Sequence, residues 1–331
     1  MMSRFLLLFV LLWLSACAVP PSVQETTSES IHDAAVADKA KADVTPDTRE
    51  PVKETSPEPH PEPAPEPVVE KKTTTWNVKR LVDYVPGGHG LAIAPDKTIF
   101  MSDTYGRIKA GVKAVYRLKA PYTGALEDTG IRVVSPSGLL WHKGFLYVCD
   151  LQGNKVLKVD QSFKVLQQWS ATTPWNLSID GKGQLYALSY NGMVQRLQEK
   201  SAPVTMFSGL QNPFDLHVLN NGHFWVSEQG PNGTLPGRIT LRDSTGKVLK
   251  SLVYKFVNPE GLAVTPDGAV WVAETGTGEL LRFAPDGKVT VVASQLALPV
   301  NLHLMEKGGL LLSTVGGAAG KATVFQIQPT L

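Results

Sequence analysis

Cysteine is nearly absent: two residues in 331, Cys17 and Cys149. A chain so poor in thiols has no disulfide framework and no four-cysteine metal site. No apolar run reaches the roughly 18 residues of a membrane-spanning helix; the longest, Phe5 to Leu14, is ten residues. Charge of one sign is also lacking, with 32 Lys+Arg against 30 Asp+Glu and a net charge of +2. The basic residues are scattered, without a basic run or interleaved aromatics, which leaves nucleic-acid binding unsupported. No serine-histidine-acid signature and no glycine-rich phosphate loop is present, and Gly316 to Gly320 reads as a hairpin turn.

What is present is a repeat. A proline followed by a short apolar run opens six units, at Pro86, Pro136, Pro174, Pro213, Pro259 and Pro299, at intervals of 50, 38, 39, 46 and 40 residues. A period near forty with four short strands per unit predicts an all-β, six-bladed β-propeller. Each unit cannot bury both of its apolar faces and needs a neighbour on either side.

The unit at Pro259 shows the grammar most clearly. Gly261 to Val264 is a strand that ends at Pro266-Asp267-Gly268, and Ala269 to Thr275 is a second strand of β-branched and aromatic residues. Gly276 to Glu279 turns into Leu280 to Phe283, and Pro285-Asp286-Gly287 turns into Val289 to Val292. Asp-Gly pairs supply the backbone angles of tight hairpins. Trp141, Trp225 and Trp271 fall within strands and read as core. Cys149, in the strand from Phe145 to Asp150, reads as a packing cysteine.

The last unit contains only three strands, Asn301 to Leu304, Leu310 to Ser313 and Ala322 to Ile327. Trp76 to Tyr84, ahead of the first unit, has no blade of its own. It is expected to supply the fourth, outer strand of the last blade and so close the ring.

The N-terminus has a different character. Arg4 and the ten-residue apolar run have the form of a secretory signal. They lead into Leu14-Ser15-Ala16-Cys17, which resembles the bacterial lipobox. That resemblance implies a signal peptide at 1–16 and diacylation of Cys17, enough for stable anchoring to the membrane. By the Gram-negative sorting rule, Ala18 in place of aspartate implies the outer membrane of the cell envelope. Residues 17–75 then form the lipidated cysteine and a tether. Pro57 to Pro67 alternates proline with acidic residues, a composition that predicts disorder and extended polyproline II. Residues 18–75 hold 6 basic and 12 acidic residues and the signal one arginine, so residues 76–331 carry a net +7. That sign suits anionic glycans or headgroups.

Three units open on a residue followed by Gly-Leu: His89-Gly90-Leu91, Ser137-Gly138-Leu139 and Glu260-Gly261-Leu262. With the Pro-Asp-Gly turns and Val270-Trp-Val-Ala-Glu274, these resemble the six-bladed propellers of the gluconolactonase, senescence-marker-protein and luciferin-regenerating-enzyme group, and the related NHL-repeat propellers. The resemblance covers about residues 76–331. It implies a divalent cation, Ca²⁺, held in the channel by oxygens at the starts of the inner strands, polarising an ester or lactone carbonyl. Glu260 matches an acidic ligand position. His89, Ser137, Trp175, Phe214 and Val300 depart from the pattern at the equivalent places. One residue further along, Asn176, Asp215 and Asn301 offer oxygens and complete a candidate metal set with Glu260.

NHL-type amidating lyases imply histidine-bound zinc. Of His89, His142, His217, His223 and His303, only His217 and His303 share a repeat position, short of the three ligands a catalytic zinc needs. The incomplete ring favours binding over catalysis. The expected function is recognition of a partner protein, glycan or small ligand at the channel face, through His89, Trp175, Phe214, His217 and His303. The alternative is a Ca-dependent lactone or ester hydrolase.

Overall fold

The computed structural model describes residues 76–84, 89–104, 113–229, 236–305, 309–316 and 322–330. All lie within one compact unit, Pro63–Leu331. The signal, Cys17, the tether and Gly317 to Gly320 lie outside the described residues.

The strands form six four-stranded antiparallel sheets arranged as the blades of a propeller. Blade 5 is typical: β18 (Pro259–Val264), β19 (Val270–Glu274), β20 (Glu279–Phe283) and β21 (Val289–Ala293) pair in sequence order. Its inner strand starts two residues earlier than the apolar pattern suggested. Pro259 occupies the first strand position, where its missing N–H is tolerated, and pairs with Glu274. An extra residue then bulges before the ladder resumes at Leu262. Blades 2, 3, 4 and 6 place Pro136, Pro174, Pro213 and Pro299 in the same position with the same irregularity.

The ring closes as the sequence implied. In blade 6, β22 (Pro299–Leu304), β23 (Leu310–Thr314) and β24 (Ala322–Pro329) are joined by β1 (Trp76–Tyr84), paired antiparallel to β24 from Trp76↔Pro329 to Tyr84↔Ala322. Thr323 donates a hydrogen bond to Asp83 at 2.7 Å. Trp76 meets Trp271 of blade 5 edge to face at 4.5 Å.

Apolar burial follows the seams between blades. Phe100, Val115 and Ile131 of blade 1 pack with Leu139, Val148 and Leu157 of blade 2. Leu188, Val194 and Phe207 of blade 3 pack with Leu216, Phe224 and Val226 of blade 4. Leu91, Ile99 and Met101 pack with Leu311 and Val324 across the first–last seam. Trp271 and Trp225 are buried; Trp141 is half-buried and stacks on Phe100 at 5.4 Å. Cys149 is fully buried, and burial pushes its thiol well above the usual range.

Candidate functional site at the channel mouth

The inner strands β2 (Leu91–Ile93), β6 (Pro136–His142), β10 (Pro174–Ile179), β14 (Pro213–Val218), β18 and β22 begin at the same end of the ring. Their opening positions carry His89, Ser137, Trp175, Phe214, Glu260 and Val300 in blade order. Half of this mouth is aromatic. The His89 ring lies 4.7 Å from Trp175, Trp175 lies 6.4 Å from Phe214, and Tyr190, just beyond β11 (Leu185–Ser189), lies 5.4 Å from Trp175. Residues of blades 1 and 3 thus meet past blade 2, whose opening residue is the small Ser137. Trp175 is buried, while Tyr190 is 46 % exposed and presents the cluster to solvent.

Blade 5 contributes an acidic cluster. Asn258 Nδ2 donates to Glu260 Oε1 at 2.9 Å, and the Asn258 amide donates to Glu274 Oε1 at 2.6 Å. Gln229 Nε2 donates to Asn258 Oδ1. Glu260 and Glu274 are both buried. Desolvation lifts Glu260 to about 8 and also raises Glu274, whose Oε2 has no partner among the described residues.

One residue along, Gly90, Gly138, Asn176, Asp215, Gly261 and Asn301 occupy a seam position. A Cβ on Gly138 would stand 2.7 Å from Asn176 Cα and Trp175 O, and one on Gly261 2.7 Å from Val300 O. Where the residue is larger, its side chain bonds instead. Asn176 Nδ2 donates to Asp215 Oδ1 at 2.7 Å. Asp215 Oδ1 also accepts the Leu216 amide at 2.7 Å, and Oδ2 accepts the Leu262 amide of blade 5 at 2.8 Å. Burial raises Asp215 to about 7 despite these amides. Asn301 Nδ2 donates within its own blade to Ser313 at 3.3 Å.

The structure therefore joins Asn176 to Asp215 directly, and links Asp215 to Glu260 through Ser227, whose hydroxyl accepts the Asp215 amide at 2.9 Å and donates to the Glu260 carbonyl at 2.7 Å. Asn301 bonds Ser313 in its own blade instead. A hard cation takes six to eight oxygens, whereas both lone pairs of Asp215 Oδ1 are occupied by N–H donors. Among the described residues, no group of three His, Cys, Asp or Glu side chains is placed to hold a metal. As arranged, the donor set fits seam bonding better than a cation.

His217 shares a sheet face with Asp215, and His303 with Asn301. Each keeps part of its surface open yet lies deep among protein atoms, and desolvation lowers both to about 4, so they are neutral at pH 7. His223 belongs to a turn and bonds Asn221, while His142 is half-buried with Nε2 unpartnered among the described residues.

A belt of hydroxyls that the repeat reading missed runs through the seams. Thr104 donates to Pro136 O at 2.5 Å, Ser137 to Pro174 O at 2.9 Å and Thr275 to Pro299 O at 2.5 Å. Asp150, Glu228 and Glu274, at the ends of second strands, accept amides of the segments that lead into their own blades, from Ser135, Gln211 and Asn258. Its sequence signal is the polar ending of otherwise apolar strands, as in Ser227-Glu228 and Glu274-Thr275.

Compared by sequence, the chain matches no protein family and no curated protein. Compared by structure, it is similar to a gluconolactonase from Xanthomonas campestris, with TM-score 0.60 and 15 % identity over 81 % of this chain and 96 % of that one. It is also similar to virginiamycin B lyase from Staphylococcus aureus, with TM-score 0.53 and 11 % identity over 77 % of this chain and 89 % of that one. Kuenenia stuttgartiensis hydrazine synthase gives TM-score 0.54 and 18 % identity over 70 % of this chain and 74 % of that one. The likeness is one of fold alone, a β-propeller as in gluconolactonases, which this chain builds from six blades.

Proposed function

We propose that this chain is a lipid-anchored protein of the bacterial cell envelope, held at the outer membrane through Cys17, whose propeller binds a ligand at its channel mouth. The observation that carries the binding role is the convergence of His89, Trp175, Tyr190 and Phe214 from three blades. Aromatic rings at the rim of a cleft offer a broad apolar face at small entropic cost, suited to a sugar ring or an apolar side chain of a partner protein. The polar half around Glu260 and Asn258 would orient it. The hydrogen bonds that hold Asp215 and Glu260 favour this role over hydrolysis, because a catalytic carboxylate needs free lone pairs.

The anchor is tested by fractionating cells that express the native chain and Cys17→Ser; release of the variant from membranes supports it, and equal retention sinks it. The mouth is tested by screening immobilised glycans and envelope proteins against native protein, Tyr190→Ala and Phe214→Ala. Binding that both variants weaken at least tenfold supports the assignment. Ligands bound equally by all three place recognition elsewhere.

A second reading, a Ca-dependent lactone or ester hydrolase, is favoured by Asp215 and Glu260, buried carboxylates in adjacent blades that desolvation holds partly protonated and that a cation would ionise. For a cation to sit there, Asn176 must first release Asp215. Thermal unfolding with Ca²⁺ and then chelator decides it. A reversible rise in Tm that Asp215→Asn abolishes would support this reading. An unchanged Tm at millimolar Ca²⁺ removes it.

A further inference from the structure

At the far ends of the same strands, the seam between blades 2 and 3 opens into a cavity of about 580 Å³. It lies by the turn that follows β10, about 16 Å along that strand from Trp175. Three cations line it: Lys158 on β8 (Lys155–Val159), Lys182 in the turn, and Arg196 on β12 (Val194–Arg196). Lys158 sits over the Phe145 ring at 4.1 Å. None of the three belongs to an ion pair among the described residues. Arg196 Nε and the indole N–H of Trp169, itself 8 % exposed, are buried without hydrogen-bond partners among the described residues. A guanidinium with an unpaired buried N–H beside a cavity is built to meet an anion.

The wall also carries acceptors. Asp180 spends Oδ1 on the amides of Lys182 and Gln184, both at 2.9 Å, while its Oδ2 is 3.5 Å from the Tyr186 hydroxyl, too far for a good hydrogen bond. Glu199 is exposed at the rim. Carboxylates beside cations disfavour a compact polyanion, but they suit a ligand that has hydroxyls as well as a negative charge. Main-chain capture of a peptide is unavailable on these strands, because β8 is paired on both sides by β7 (Phe145–Asp150) and β9 (Val165–Ser170), and β12 by β11 and β13 (Val204–Phe207). Recognition here is by side chains alone.

We propose that this cavity binds a carboxylate-bearing saccharide, with its carboxylate on Lys158, Lys182 and Arg196 and its hydroxyls on Asp180, Glu199 and Tyr186. The site is distinct from the channel mouth and stands whether or not the mouth binds a ligand.

The test is calorimetric titration of the full chain with trigalacturonate. Binding with Kd below about 1 mM is expected, weakening as salt rises. Arg196→Gln and Lys182→Glu should each weaken it at least tenfold, while Lys250→Glu, a charge reversal on the exposed outer strand of blade 4, leaves it unchanged. Lys182 is exposed in a turn, so its reversal keeps the fold, and an unchanged Tm verifies that. Absence of binding at several millimolar overturns the proposal, as does undiminished binding by both variants. If triglutamate binds as tightly as trigalacturonate, the saccharide assignment gives way to an acidic peptide.

Discussion

Asn176 in blade 3 donates a 2.7 Å hydrogen bond to Asp215 in blade 4, and the other oxygen of that carboxylate takes the Leu262 amide of blade 5. One side chain thereby ties three consecutive blades at their inner strands. Asp215→Ala leaves two backbone amides and the Asn176 amide without an acceptor in a buried seam. It should lower stability by about 3 kcal/mol, read as a reduced midpoint in urea unfolding. Asn176→Ala, which removes one of the three donors, should lower it by about 1 kcal/mol.

The glycines of the same ring position give a complementary expectation. Gly138→Ala would put a methyl group against Asn176 Cα and Trp175 O, backbone atoms that move only with the blade. A loss of about 1–3 kcal/mol is expected. Because the displaced strand carries Trp175, its fluorescence should shift as the contact with His89 loosens. Gly183→Ala is a spatial control, since nothing lies within 4 Å of its added Cβ; its φ of +83° still imposes a smaller backbone penalty.

Ring closure rests on β1. A chain starting at residue 85 lacks the strand that covers β24, exposing that strand's edge. It should unfold without a cooperative transition and associate, measured by light scattering. Trp76→Ala keeps the strand but loses the contact with Trp271, and should cost about 2 kcal/mol because Trp76 is half-buried.

The fold was legible because the repeat places equivalent residues at equivalent positions. Pro136, Pro174, Pro213, Pro259 and Pro299 each mark an inner strand, and the surplus segment Trp76–Tyr84 pointed to the missing outer one. The mouth was legible only in part. The repeat aligned His89, Trp175 and Phe214, but equivalence does not say which blades touch. That His89 reaches Trp175 past Ser137 depends on the size of the intervening side chain. Partners some forty residues apart were equally hidden: nothing local in Ser227 foretells its bond to Glu260 O, and Asn258 was missed because it lies before the proline where the pattern begins.

The buried titratable groups set a pH dependence with a definite shape. Glu260 and Asp215 titrate in the folded protein near 8 and 7, above their unfolded values near 4. The folded state therefore binds more protons than the unfolded state between those limits, and stability rises as pH falls through the folded values. His217 and His303 act oppositely. Their folded values near 4 lie below the unfolded 6.5, so the unfolded state gains protons first and stability drops as pH falls from 6.5. From pH 8 to 6.5 the carboxylates of this set dominate, and after the opposing onset of imidazole protonation in the unfolded chain the gain should be about 2 kcal/mol. From 6.5 to 4.5 two carboxylates oppose two imidazoles at equal slope, so their contributions cancel into a plateau. Replacing both imidazoles, as His217→Gln with His303→Gln, should turn that plateau into a continued rise toward acid. Urea unfolding of both proteins from pH 4.5 to 8 checks the shape. A native curve that falls steadily from pH 8 to 6.5 would show that Asp215 and Glu260 are ionised in the folded ring.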